Sequence, residues 1–197
     1  MDLGTALLIV DVQSDFCPGG ALSVPAGDRV VEPLNRIARR CAEAGVPVLA
    51  TRDWHPLGTR HFRERGGPWP PHCVQGSPGA EFDPALRLPE GTLVISKGTD
   101  PDTDGYSAFE AADADGQDLR EILASLGVRR LLIGGLATDY CVRASVLEAR
   151  RMGLDVVVLA DAVAGVDMAP GDSARALDEM ERAGATFAGT DEFLQRQ

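Results

Sequence analysis

The 197-residue chain predicts an α/β fold, a single domain in three α/β/α layers around a six-stranded, mainly parallel sheet. Three observations carry this. Six short runs rich in Val, Ile and Leu recur along the chain, and continuous apolar runs mark strands buried on both faces. Helical patterns alternate with them, which implies a parallel sheet covered on both sides. Gly45, Gly127, Gly153 and Gly184 each stand between a helical pattern and the next apolar run, where helices stop on a left-handed residue.

Taken in order, residues 5–10 (TALLIV) form the first strand, with Asp11 at its C-terminal end. Asp28 is placed to cap a helix running to Ala44, although Pro33 is deep for a first-turn proline and draws the start toward residue 31. Residues 46–51 are the second strand, ending at Arg52 and Asp53, and residues 92–96 the third, ending at Lys97 and Gly98. A helix over 117–126 precedes the fourth strand, 128–133. The Gly134-Gly135 pair then lets the backbone turn and leaves room for a close approach. Thr138 reads as the N-cap of a helix to Met152. A fifth strand over 154–160 ends at Asp161, a helix spans 170–183, and a short sixth strand at 185–188 leads to a polar tail.

Two long loops interrupt this rhythm, residues 53–91 and 98–116, and loops of that length in a compact domain are functional or disordered. The first holds His55, His61 and His72 and both tryptophans; the second holds Tyr106, Ser107 and Phe109. A net charge of −11 argues against a nucleic-acid partner, which needs basic surface. No apolar run approaches membrane-spanning length, so no membrane partner is expected. The first strand begins almost at once, leaving no room for a secretory signal, and a cytoplasmic location follows as the expectation. Cys17, Cys41, Cys73 and Cys141 form no CxxC pair and read as free thiols.

In open α/β sheets, ligands bind beyond the carboxyl ends of the strands. Asp11, Asp53, Lys97 (the only lysine) and Cys141 all lie at or just past such ends, and they are expected to meet in one crevice. In the first turn of a helix, Cys141 would have its thiol pKa drawn down from about 8.5 toward roughly 3.5–7.5. From its own stretch alone, Cys141 reads either as a nucleophile or as a small buried hydrophobe. Asp53 and His55 fall on one side of an extended segment, and His72 follows a stiff Trp-Pro-Pro turn. One Asp and two His leave open coordination positions, as a working metal site requires, and suit zinc, iron or manganese. His61 is either a fourth ligand or an outer hydrogen-bond partner.

IVDVQSDFCPGGAL around Asp11, ISKG around Lys97 and GLATDYCV around Cys141 resemble the Asp-Lys-Cys triad of the isochorismatase-like cysteine hydrolases. RDWHP at 52–56, HF at 61–62, WPPHCVQGSPGAEF at 69–82 and KGTDPDTDGYSAF at 97–109 are similar to the nicotinamidase (pyrazinamidase) members among them. Nearly the whole chain is covered. The resemblance implies strand order 3-2-1-4-5-6, with the crevice where strands 1 and 4 meet. It implies metal-dependent hydrolysis of nicotinamide to nicotinate and ammonia through a cysteine thioester, with pyrazinamide also accepted, in NAD salvage. Cys141 would be the nucleophile, Asp11 the general base and Lys97 the cation of the triad. Asp53, His55 and His72 would ligate one divalent metal, zinc before iron or manganese, with His61 a ligand in only some members. Phe16, Trp69 and Tyr106 would stand beside the substrate ring. A cis peptide at Leu136-Ala137 would aim the Ala137 N–H, with that of Cys141, at the substrate oxygen. Two other functions stay open on the residues alone: another amide or ureido hydrolase, and a non-catalytic metal- or aryl-binding module. A homo-oligomer is also left open.

Overall fold

The structure, a computed structural model, describes residues 4–195. Six strands form one sheet: β1 (Thr5–Val10), β2 (Val48–Asp53), β3 (Leu93–Lys97), β4 (Arg130–Leu136), β5 (Asp155–Ala164) and β6 (Thr186–Ala188). Their order is β3-β2-β1-β4-β5-β6, and every pairing between them is parallel. β1 and β4, the central pair, are where the order reverses.

The helices are α1 (Val31–Glu43), α2 (Leu119–Ser125), α3 (Arg143–Arg151), α4 (Asp172–Arg182) and α5 (Thr190–Gln195). Side chains alternate across β1: Leu7 and Ile9 join a core with Leu34 and Ile37 of α1, while Ala6, Leu8 and Val10 join one with Leu123 of α2 and Val146 of α3. A strand with a core on each face has no room for a polar side chain, which accounts for its unbroken apolar run. Among the described residues, no helix is long and apolar enough to cross a membrane.

Several local expectations change. Asp28 does not cap α1; it lies inside a 3₁₀ turn, Gly27–Val30, that feeds straight into the helix, and Pro33 sits in the helix's first turn. Gly134 and Gly135 do not turn the chain but continue β4. The β4/β5 register shifts between Ile133 and Gly135, and Gly135 has φ +127° against the backbone of Val10, a position no side chain could share. Asp161 lies within β5, not at its end, and accepts hydrogen bonds from Thr190 N–H (2.8 Å) and Oγ1–H (2.6 Å). The polar tail is α5, whose Phe193 is buried in the α1-side core. A charged outer face hid that short apolar contact.

Candidate active site

β1, β2, β3 and β4 deliver their C-terminal ends to one rim. Asp53 and Lys97 are register partners as the last residues of β2 and β3, so their side chains emerge side by side. Asp11 follows β1 with φ +48°, and Cys141 follows β4. Lys97 is fully buried, and its ammonium meets four neighbours. Nζ lies 2.8 Å from Asp11 Oδ2, donates to Gly105 O at 2.9 Å and to Cys141 Sγ at 3.3 Å, and forms a close ion pair with Asp53 Oδ1. A compact point charge on a flexible stem can sit where four groups converge, which the spread-out fork of a guanidinium does not match.

Supporting bonds aim these groups. The Thr51 hydroxyl donates to Asp11 Oδ1 at 2.6 Å and accepts the Asp11 N–H at 3.2 Å. Gln13 clamps the backbone of Asp53 from both sides: Oε1 accepts its N–H, and Nε2 donates to its carbonyl, each at 2.8 Å. Neither Thr51 nor Gln13 was singled out from the sequence, although Gln13 lies within the first quoted motif.

Cys141 lies in a turn that differs from the expected one. Thr138–Val142 is a π-helical turn leading into α3; Ala137, not Thr138, precedes it, and no side chain caps it. The Ala137 carbonyl accepts from the N–H groups of both Tyr140 and Val142 at 3.1 Å. The Leu136-Ala137 peptide is cis.

Burial dominates the electrostatics. It pushes the Cys141 thiol well above the usual thiol range, against the pull of Lys97. This runs against the expectation of a thiolate drawn out by the helix terminus: desolvation of an anion, joined by the negative charges of Asp11 and Asp53, outweighs the pull of Lys97. Burial likewise raises Asp11, with Lys97 opposing it. On Lys97 burial favours the neutral amine, but Asp11 and Asp53 outweigh it and hold the ammonium charged. Asp53 goes the other way from Asp11: burial acts upward on it too, but Lys97 and then His55 hold it well below the usual carboxylate range.

The imidazoles form a second cluster. One ring nitrogen from each of His55, His61 and His72 lies within 4.8 Å of the others, and all three residues are buried. The Nδ1 atoms face acceptors: Gly98 O at 3.1 Å, Asp104 Oδ1 at 3.2 Å and Pro70 O at 2.8 Å, respectively. Those oxygens can only accept, so each Nδ1 carries the proton and each Nε2 keeps a free lone pair. His55 Nε2 is buried without a hydrogen-bond partner, 3.7 Å from Asp53 Oδ2. Burial lowers His72 to about 4 and lowers His61 as well, so both rings are neutral near pH 7. Three imidazoles with converging nitrogens, one of them without a hydrogen-bond partner, beside an ionised carboxylate fit a divalent cation. His61 thus stands with His55 and His72, while Asp53 faces both clusters. Gly98, beside Lys97, has φ +64°, and a Cβ there would strike the His55 ring.

Between the clusters lies a tight pocket, about 30 Å³ of internal space and about 340 Å³ when the open solvent at its mouth is counted. Cys141, Ala137, Asp53, His61 and His72 line it, and Phe16, Trp69 and Tyr106 supply aromatic walls. Trp69 Nε1–H donates to the Tyr106 hydroxyl at 2.9 Å. Leu22, Tyr140 and Val166 also line it and were not anticipated. Leu22 and Tyr140 lie inside the quoted motifs and could have been found there; Val166 follows β5 with no local signal. Cys17, Cys41 and Cys73 are buried and form no disulfide. Asp139, also buried, accepts backbone N–H groups of the segment after β5.

The isochorismatase domain family matches residues 5–192. Over 198 residues the chain is 41% identical to the nicotinamidase of Escherichia coli (strain K12), covering 92% of this chain and 93% of that one. The fold aligns with TM-score 0.87 to the pyrazinamidase of Pyrococcus horikoshii in complex with zinc, at 49% identity over 94% of this chain and 99% of that one. With PnC1 from L. infantum in complex with nicotinate, the TM-score is 0.86 and the identity 34%, over 98% and 96% of the two chains.

Proposed function

The chain belongs to the isochorismatase domain family and is a hydrolase acting on an amide, and from that premise we propose that it hydrolyses nicotinamide to nicotinate and ammonia through a thioester on Cys141, feeding NAD salvage. Pyrazinamide, with the same carboxamide on a similar ring, is a second substrate. The observation that carries the reading is the cavity itself, with Cys141 at one end, imidazoles at the other and aromatic walls between.

The proton bookkeeping suits the electrostatics. Burial keeps Cys141 as a thiol at rest and makes Asp11 a stronger base than an ordinary carboxylate. As Sγ bonds to the amide carbon, Asp11 takes the thiol proton and passes it to the amide nitrogen, and the C–N bond breaks to release ammonia. Asp11 next takes a proton from water; the water oxygen bonds to the thioester carbon, the C–S bond breaks, and the proton returns to Sγ. Lys97 stays charged throughout and balances the anion, whether it sits on Asp11 or on sulfur. The N–H groups of Ala137 and Cys141 are the donors to the tetrahedral oxygen, each worth about 2.7–4 kcal/mol in such sites. His55, His61, His72 and Asp53 would hold one divalent metal, with zinc first among the candidates. When bound, that ion supplies a Lewis-acid grip on the ring nitrogen. Phe16, Trp69 and Tyr106 hold the ring faces.

The test is ammonia release from nicotinamide, pyrazinamide and a ureido acid, before and after chelation. Release from the two ring amides, lost on chelation and restored by zinc, is the expected result. Preference for the ureido acid would overturn the substrate, and full activity after chelation would overturn the metal.

A further inference from the structure

The segment between β5 and α4, residues 165–171, brings Val166 to the cavity wall. Asp139 holds its backbone with both carboxylate oxygens. Oδ1 accepts the Val166 N–H at 2.9 Å and Oδ2 the Asp167 N–H at 2.8 Å. Asp139 is buried two residues before Cys141, in the same π turn. A single side chain therefore joins the turn that carries the sulfur to the facing wall of the pocket. The segment is also braced from behind: Asp167 adopts φ +50°, and its carboxylate accepts the Ser173 N–H at 2.8 Å and Oγ–H at 2.7 Å. Paired bonds from backbone amides to a buried carboxylate are charge-assisted and directional.

We propose that Asp139 is a positioning residue that sets the width of the ring pocket by clamping the backbone of Val166 and Asp167 to the Cys141 turn. It holds the wall against which a flat ring is measured and does not itself touch the substrate. The inference rests on the nicotinamide reading for the identity of the ring, and the test separates the two.

Asp139→Asn keeps the shape but turns an NH₂ toward one of the two amides. Three readouts follow. Hydrogen exchange at the Val166 and Asp167 amides should quicken by about tenfold or more, since a charge-assisted bond is lost. KM for nicotinamide should rise about tenfold with kcat changed less than about threefold, the mark of lost binding. The kcat/KM ratio of quinoline-3-carboxamide to nicotinamide should rise about tenfold as the wall retreats. Val166→Ala, which leaves the clamp intact, should shift that ratio the same way, and the double variant should add little to either. Unchanged exchange at the two amides overturns the clamp. Equal proportional losses on both substrates, or no shift of the ratio in Val166→Ala, overturns the control of width. If the wild-type chain releases no ammonia from nicotinamide, the functional reading fails while the exchange measurement still decides the clamp.

Discussion

The two ends of the cavity are built in opposite ways. At the sulfur end, Asp11, Asp53 and Lys97 come from the tips of adjacent parallel strands, and register alone sets Lys97 beside Asp53. At the imidazole end, His55, His61 and His72 come from the long stretch between β2 and β3, where isolated bridges and 3₁₀ turns replace regular pairing. The first end is held by charge: one ammonium is shared between two carboxylates. The second is held by direction: a carbonyl or carboxylate oxygen behind each ring turns its other nitrogen inward. On the proposed function, the groups that move protons sit at or just beyond the strand ends, and the three imidazoles that would grip a ligand sit on the loops.

That contrast can be broken experimentally. The largest effect is expected from Cys141→Ala, which should lower kcat for nicotinamide by about 10⁴-fold or more while leaving zinc affinity, read by chelator competition, within about threefold. A parallel loss of zinc affinity would show that the ends are one unit. Lys97→Met comes next. It strands Asp11 and Asp53 in the interior, and breaking such a buried arrangement costs about 3–5 kcal/mol in urea unfolding. Lys97→Arg should recover little of it; full recovery would mean that charge alone matters there.

Acid should undo the imidazole end first. His72 takes up its proton only at about 4 when folded, against 6.5 for an ordinary histidine, so the unfolded chain binds more protons between those values. Stability of the chelated protein is therefore full above pH 6.5 and falls as the pH drops toward 4, by roughly 3 kcal/mol from this residue. His61 acts in the same direction. Urea titrations across that window check it, and His72→Gln should flatten the slope. Asp53, held low, contributes until the pH is more acidic still. The smallest effect is Thr51→Val, which removes the donor to Asp11 Oδ1 and should cost about 1 kcal/mol and a few-fold in kcat.

The same contrast governs what could be read beforehand. The order of the strands comes only from the family resemblance, whereas the strands themselves and the meeting of Asp11, Lys97 and Cys141 at one rim follow from apolar runs that end in reactive residues. Periodicity carries that information. It does not carry the π turn, because the Val142-to-Ala137 bond is a choice between two carbonyls one residue apart. Nor does it carry the thiol's protonation, since a helix terminus is visible in a sequence and the desolvation around it is not. Gln13 and Asp139 act on backbone 40 and 27 residues away in the chain, respectively, and such reach leaves no local trace. α5 looks like a tail in the sequence because only its buried Phe193 betrays the packing.

Gly98 forbids more than it permits. With no space above its Cα and a left-handed backbone, it admits no ordinary side chain without evicting the His55 ring. Variation at that floor is closed to selection and to the engineer alike. New substrate ranges are better sought through Leu22 and Val166, which line the pocket without belonging to either cluster.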